Sequence, residues 1–174
     1  SSNFLLLVFH PGQLLFLPYI IYCVRKGKKC WYLTLSLVVL TLFIAGVFSI
    51  VIAVSLLWIF GAELPTILSM TTKSITAPIA IITSEQIGAI PSLAVGFVLI
   101  TGIIGALFGT IVFKIFKVKY ETSKGFALGL VSHGIGTARA IEISEKAAAF
   151  GALAMGLSGI FTAIFLPMII AFFR

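Results

Sequence analysis

The stretch Thr66-Ile67-Leu68-Ser69-Met70-Thr71-Thr72-Lys73-Ser74-Ile75-Thr76-Ala77-Pro78, continuing through Ser84 and Glu85 to Pro91, decides the fold. Its two ends are pinned by basic loops on either side. Arg25, Lys26, Lys28 and Lys29 form one, and Lys114, Lys117, Lys119 and Lys124, diluted by Glu121, form the other; both face the cytoplasm by the positive-inside rule. The run from Trp31 to Phe60 therefore ends outside, at the acidic turn around Glu63 and Pro65, and is long enough to tilt. The helix from Leu93 to Phe113 begins outside. Parity then requires Thr66 to Pro91 to start and finish on the same side, and it is too short to cross twice. The physical option is a re-entrant hairpin or broken segment, with surrounding protein or a water-filled cavity satisfying its open backbone. Ser69, Thr71, Thr72, Ser74, Thr76, Thr83 and Ser84 supply hydroxyls, and Pro78 interrupts helical bonding.

The whole chain supports a bilayer setting. Of 174 residues 60% are apolar and 10% charged, against roughly 45–50% and about 25% for a soluble domain. The net charge of +7 lies in short clusters between apolar runs rather than on a polar face, which excludes a nucleic-acid binder. Uncharged runs cover 1–24, 30–62, 86–113 and 147–173, each at or beyond the ~20 residues of a spanning helix. The expectation is an all-α polytopic membrane protein with four full transmembrane helices and two broken or re-entrant segments, 64–84 and 125–141. The first run lacks the form of a signal peptide, and the N-terminus reads as incomplete. Cys23 and Cys30 flank a cytoplasmic basic loop, so neither a disulfide nor a metal site is expected. His10 reads as packing or loop chemistry.

The second interrupted stretch matches the first. Thr76-Ala77-Pro78-Ile79-Ala80-Ile81-Ile82-Thr83-Ser84-Glu85 aligns with Thr137-Ala138-Arg139-Ala140-Ile141-Glu142-Ile143-Ser144-Glu145 once Ile79 is skipped. Beyond it Ala89 pairs with Ala149, Leu93 with Leu153, Ala94 with Ala154, Gly96 with Gly156 and Ile100 with Ile160. An internal repeat, inverted by the single crossing between its units, is expected over about 64–113 and 125–173. Inverted repeats with discontinuous elements recur in transporters. The chain then divides into N-terminal transmembrane helices, 1–63, and a core, 64–174. On the inverted reading Glu145 and the second segment open to the cytoplasm and Arg174 lies outside; if that segment crosses fully, Arg174 lies inside.

Two cations interrupt these segments. Lys73, costly in the bilayer interior unless paired or hydrated, has three readings: it snorkels to the interface, it pairs with Glu63 or Glu85, or it binds an anionic substrate among the hydroxyls of Ser74 and Thr76. In Ser132-His133-Gly134-Ile135-Gly136-Thr137-Ala138-Arg139, two glycines free the backbone beside a histidine. A helix from Gly136 to Glu145 would put Thr137, Ala138 and Arg139 in its first turn, where free amides favour anions. Arg139 can pair with Glu142, and Glu142 with Lys146, which is also the purely structural reading. His133 either relays a proton or hydrogen-bonds a neighbour. The substrate-binding candidates are thus Lys73, Ser74, Thr76, His133, Thr137 and Arg139, with Glu85, Glu142 and Glu145 for ion coupling or structural pairing. Gly105 to Gly109 and Gly125 to Gly129 carry the spacing of close helix contacts, which leaves homo-oligomers open. No dinucleotide or phosphate loop is present, the chain has no Asp for a catalytic triad, and no enzymatic activity or cofactor is expected.

Lys73-Ser74-Ile75-Thr76-Ala77-Pro78-Ile79-Ala80, Ser84-Glu85-Gln86-Ile87-Gly88, Lys124-Gly125-Phe126-Ala127-Leu128-Gly129 and Ser132-His133-Gly134-Ile135-Gly136-Thr137-Ala138-Arg139-Ala140 together resemble the LrgB/CidB family of bacterial membrane proteins, whose relatives include the plastid glycolate/glycerate translocator. The likeness runs from about Leu64 to Pro167, so the chain resembles the C-terminal part of a family member. The resemblance implies the bacterial cytoplasmic membrane, a holin-like or antiholin-like role modulating murein hydrolase activity and cytolysis, and a small membrane partner of the LrgA/CidA type. It also implies transport of small carboxylates such as glycolate, glycerate or pyruvate. Buried cations among hydroxyls suit that small organic anion; an oligomeric pore or pore regulator is the other reading.

Overall fold

A computed structural model of the chain describes residues 28–172. All six elements are helices: α1 Lys28–Ile59, α2 Leu64–Thr71, α3 Ala77–Ile87, α4 Pro91–Ile115, α5 Glu121–Ile141 and α6 Glu145–Phe172. Three stretches are long and apolar enough to cross a membrane: Val38–Ile59 of α1, with 22 residues, α4 with 25 and α6 with 28. At ~1.5 Å per residue each exceeds the hydrocarbon thickness of about 30 Å. These are three of the four expected full spans; the first, 1–24, lies outside the described residues, as do His10 and Cys23. The large exposed side chains on α4, among them Leu99, Ile103, Leu107 and Ile111, form an apolar face that suits lipid and not water.

α2 and α3 form a helical hairpin. Pro65 and Pro78 each sit in the first turn of their helix, where the missing N–H would be unpaired in any case. Pro78 therefore starts α3 rather than interrupting a longer helix. The tip is 72–76, and the chain returns so that the Ile90 N–H donates to Ser69 Oγ at 2.9 Å while Leu68 packs on Ile87 and Leu166. Gly88, at φ 73, ends α3, and the Ala89 N–H reaches the Ser84 carbonyl at 2.8 Å in the left-handed helix termination that glycine favours.

α5 also doubles back. His133 has φ 38 and ψ −122, a reversal that L side chains rarely adopt, and it divides the element into 121–132 and 134–141. A Cβ on Gly136 would overlap the Leu128 carbonyl, so the two halves lie side by side, eight residues apart in sequence. The first half packs backbone to backbone on α6: side chains at Gly125 and Gly129 would collide with the carbonyls of Ala147 and Gly151. The Gly125 to Gly129 spacing is thus spent inside one chain. At the mouth of this second hairpin, Val118 and Ile143 join Phe113, Leu128, Ala140 and Ala147 in one apolar cluster.

α4 connects the two hairpins. Its first residue follows the mouth of the first, at Ile90, and its last turn leads into the mouth of the second. Val98 packs on Ile75 and Ala80 of the first hairpin, and Gly102 and Gly105 face His133 and Ser132 of the second. Both tips therefore reach the middle of α4 from opposite ends. The aligned Ser-Glu pairs do not occupy equivalent places: Ser84 and Glu85 lie in the last turn of α3, whereas Ser144 caps α6, accepting the Ala147 N–H at 3.1 Å, and Glu145 opens that helix.

Candidate functional site

Where the two tips meet, open backbone of the first is satisfied by side chains of α5 and α6. The His133 ring donates from Nε2 to the Lys73 carbonyl at 3.2 Å, and Ser158 Oγ of α6 donates to the Ser74 carbonyl at 3.3 Å. A non-helical segment can lie deep in the membrane only with such partners. The carbonyl contact places the proton on Nε2, since an oxygen of that kind can only accept.

The Lys73 side chain runs the other way, toward α1. It is 8% exposed, and its ammonium donates to Ser49 Oγ at 2.6 Å and to Ser74 Oγ at 3.2 Å. Two of its three N–H donors thus end on neutral hydroxyls. Among the described residues no carboxylate lies within ion-pair distance of it: Glu63 and Glu85, the partners considered from sequence, are exposed. Being buried, Lys73 does not snorkel either. It lines, with Ser49 and Thr101, a pocket of about 360 Å³ between α1, the first hairpin and α4, whose remaining wall is apolar, including Ala53, Leu57 and Phe97. Ser132, fully buried beside the second tip, leaves its hydroxyl without a partner.

The sequence candidates separate into groups. Lys73, Ser74 and His133 come together. Thr76, the last residue of the tip, caps the start of α3 without a side-chain hydrogen bond to the helix. Thr137 faces α6, with its hydroxyl 3.9 Å from Met155 Sδ. Arg139 does not lie in a first turn: the helix begins at Gly134, and Arg139 falls in the last turn of α5, half-exposed, where it pairs with Glu142 as the i, i+3 spacing predicts. The expected couple of Glu142 with Lys146 does not form, because α5 ends at Ile141 and Lys146 belongs to α6. Glu85 and Glu145 are exposed. Ser49, Ser132 and Ser158 were not selected from sequence. A single serine in a long apolar run carries no periodic signal, and only the tertiary approach shows its partner.

A polytopic membrane protein with two broken elements meeting at a buried cation is the class this geometry defines. The LrgB-like family profile matches residues 32–172, and the chain belongs to that family. It is 31% identical over 150 residues to a holin-like protein CidB of Staphylococcus epidermidis, covering 86% of this chain and 63% of the relative. It is 32% identical over 149 residues to an antiholin-like protein LrgB of Bacillus mycoides, with the same coverages. The chain thus spans just under two thirds of the length of these relatives. No solved structure matches it.

Proposed function

We propose that the protein is a transporter of small organic carboxylates, with Lys73 as the anion-binding residue, and not an enzyme. The observation that carries this reading is the buried ammonium, held by Ser49 and Ser74 without a countercharge. A charge in that position is stabilised by an anion, and a pocket otherwise apolar accommodates the short carbon chain of a glycolate-, glycerate- or pyruvate-class acid. Discontinuous elements that approach from opposite ends of one crossing helix are a recurring transporter architecture, and they accord with an inverted repeat of 64–113 and 125–173. The candidates near the tips, Ser74, Thr76 and His133, then surround the route, while Thr137 and Arg139 lie along the second hairpin toward its mouth. Control of murein hydrolase activity and autolysis follows from metabolite flux across the bacterial cytoplasmic membrane, with a membrane partner of the LrgA/CidA type.

The names of the relatives favour a second reading, a holin-like or antiholin-like oligomeric pore or pore regulator. One experiment separates the two. The full-length protein is reconstituted into liposomes and uptake of radiolabelled glycolate and pyruvate is followed against concentration. A transporter gives saturable uptake that Lys73→Ala lowers about tenfold or more without loss of folded protein. Unsaturable leakage of unrelated solutes supports the pore, and saturable uptake unchanged in Lys73→Ala removes the site.

A further inference from the structure

A second cationic pocket lies far from Lys73, at the mouth of the α5 hairpin. Its volume is about 420 Å³, and Lys114, Lys117, Lys119 and Lys124 line it together with Phe113, Val118 and Ile143. The lysines come from three places: the last turn of α4, the connection to α5, and the start of α5. Among the described residues none has a carboxylate within ion-pair distance. Four like charges around one pocket repel one another unless an anion sits among them.

Lys117 adds an independent observation. Its backbone has φ 51, and the Val118 N–H behind it reaches the Phe113 carbonyl at 2.9 Å. This is a left-handed helix termination, a position where glycine is strongly favoured. A lysine there carries a conformational cost that glycine would avoid, and what it adds is a charge at the pocket.

We propose that this pocket binds the phosphodiester headgroup of an anionic phospholipid. Its location at the end of a membrane-spanning helix puts it at headgroup level, where basic pockets between helices recognise anionic lipids. The apolar wall of Val118 and Ile143, continuous with the cluster around Phe113, offers a surface to glycerol and the first acyl carbons. Free phosphate shares the headgroup chemistry but would leave that wall unused.

The test uses the full chain in detergent, exchanged against phosphatidylglycerol or phosphatidylcholine, with bound lipid counted by native mass spectrometry. Wild type is expected to retain phosphatidylglycerol over phosphatidylcholine by about tenfold or more, and soluble glycerol 3-phosphate should not displace it. The variant K114Q/K117Q/K119Q/K124Q loses the preference, while the charge-matched R25Q/K26Q/K28Q/K29Q keeps it. Lys117→Gly, which relieves the backbone and removes one charge, keeps the protein folded and weakens retention, so the result does not depend on the quadruple variant folding. Equal loss in both quadruple variants, displacement by glycerol 3-phosphate, unaltered retention in Lys117→Gly, or no preference in wild type would each overturn the proposal.

Discussion

The imidazole of His133 and the main-chain carbonyl of Lys73, sixty residues apart in sequence, are joined by a 3.2 Å hydrogen bond. The bond ties the reversal in α5 to the tip of the α2–α3 hairpin. His133 holds that position in a backbone conformation suited to glycine, so two effects oppose each other there. Removing the ring leaves a buried carbonyl unpaired, at a cost of about 1–3 kcal/mol. Restoring glycine's freedom recovers about 1–3 kcal/mol. His133→Ala is therefore expected to be less stable than both His133→Gly and wild type, because it loses the bond without relieving the backbone. Thermal unfolding in a defined detergent ranks the three, and an Ala variant as stable as wild type would show that the bond contributes nothing.

Lys73 is predicted to dominate anion handling. A charge-assisted contact is worth about 1.5–3 kcal/mol, so Lys73→Ala should lower carboxylate uptake about tenfold or more. Ser49→Ala, which removes one neutral hydroxyl, should lower it by less. Arg139→Gln removes a half-exposed pair with Glu142 that contributes about 0–1 kcal/mol to stability. The melting temperatures of Arg139→Gln and Glu142→Gln should therefore lie close to wild type.

The backbone contact between α5 and α6 predicts a sharp contrast between glycines. At Gly129 a Cβ meets the Gly151 carbonyl, whereas at Gly156 nothing lies within 4 Å. Gly129→Ala must force the helices apart, costing about 1–3 kcal/mol or more, and Gly156→Ala should leave folding intact. Yield of folded protein by size-exclusion chromatography compares them directly; similar behaviour of the two variants would contradict the close approach.

Topology can be read by labelling. In a background with Cys23 and Cys30 replaced by Ser, Glu63→Cys lies beyond the mouth of the first hairpin, while Lys119→Cys and Glu145→Cys lie at the mouth of the second. An impermeant thiol reagent should modify the last two from one face of the membrane and Glu63→Cys from the other. Modification of Lys119→Cys and Glu145→Cys from opposite faces would mean that α5 crosses.

A break between α1 and α4 was legible in the sequence, because the stretch from Thr66 to Pro91 is too short to cross a bilayer twice. The long helices were legible as uncharged runs. Less accessible was the break in α5. Two glycines pointed to the right segment, but the reversal falls on His133, a residue whose local preference argues against it. Tertiary contacts with Gly102 and Gly105 allow it, and no local pattern records them. With the helix running from Gly134 to Ile141, Arg139 falls in its last turn and not in its first. The matched Ser-Glu pairs do not fall on equivalent positions: identical residues at constant spacing occupy a helix end in one segment and a cap in the other.

The two ends of Lys73 have different neighbours. Its carbonyl is tied to His133, and its ammonium is tied to Ser49 on α1. One residue is thus a mechanical link between the α5 hairpin and the pocket proposed to hold the anion. By thermodynamic reciprocity, any shift of that hairpin that alters anion affinity must itself be favoured or opposed by the bound anion to the same degree. Slowed amide exchange across residues 134–141 on adding substrate would be the mark of that coupling, seen on the side of the contact that the anion does not touch.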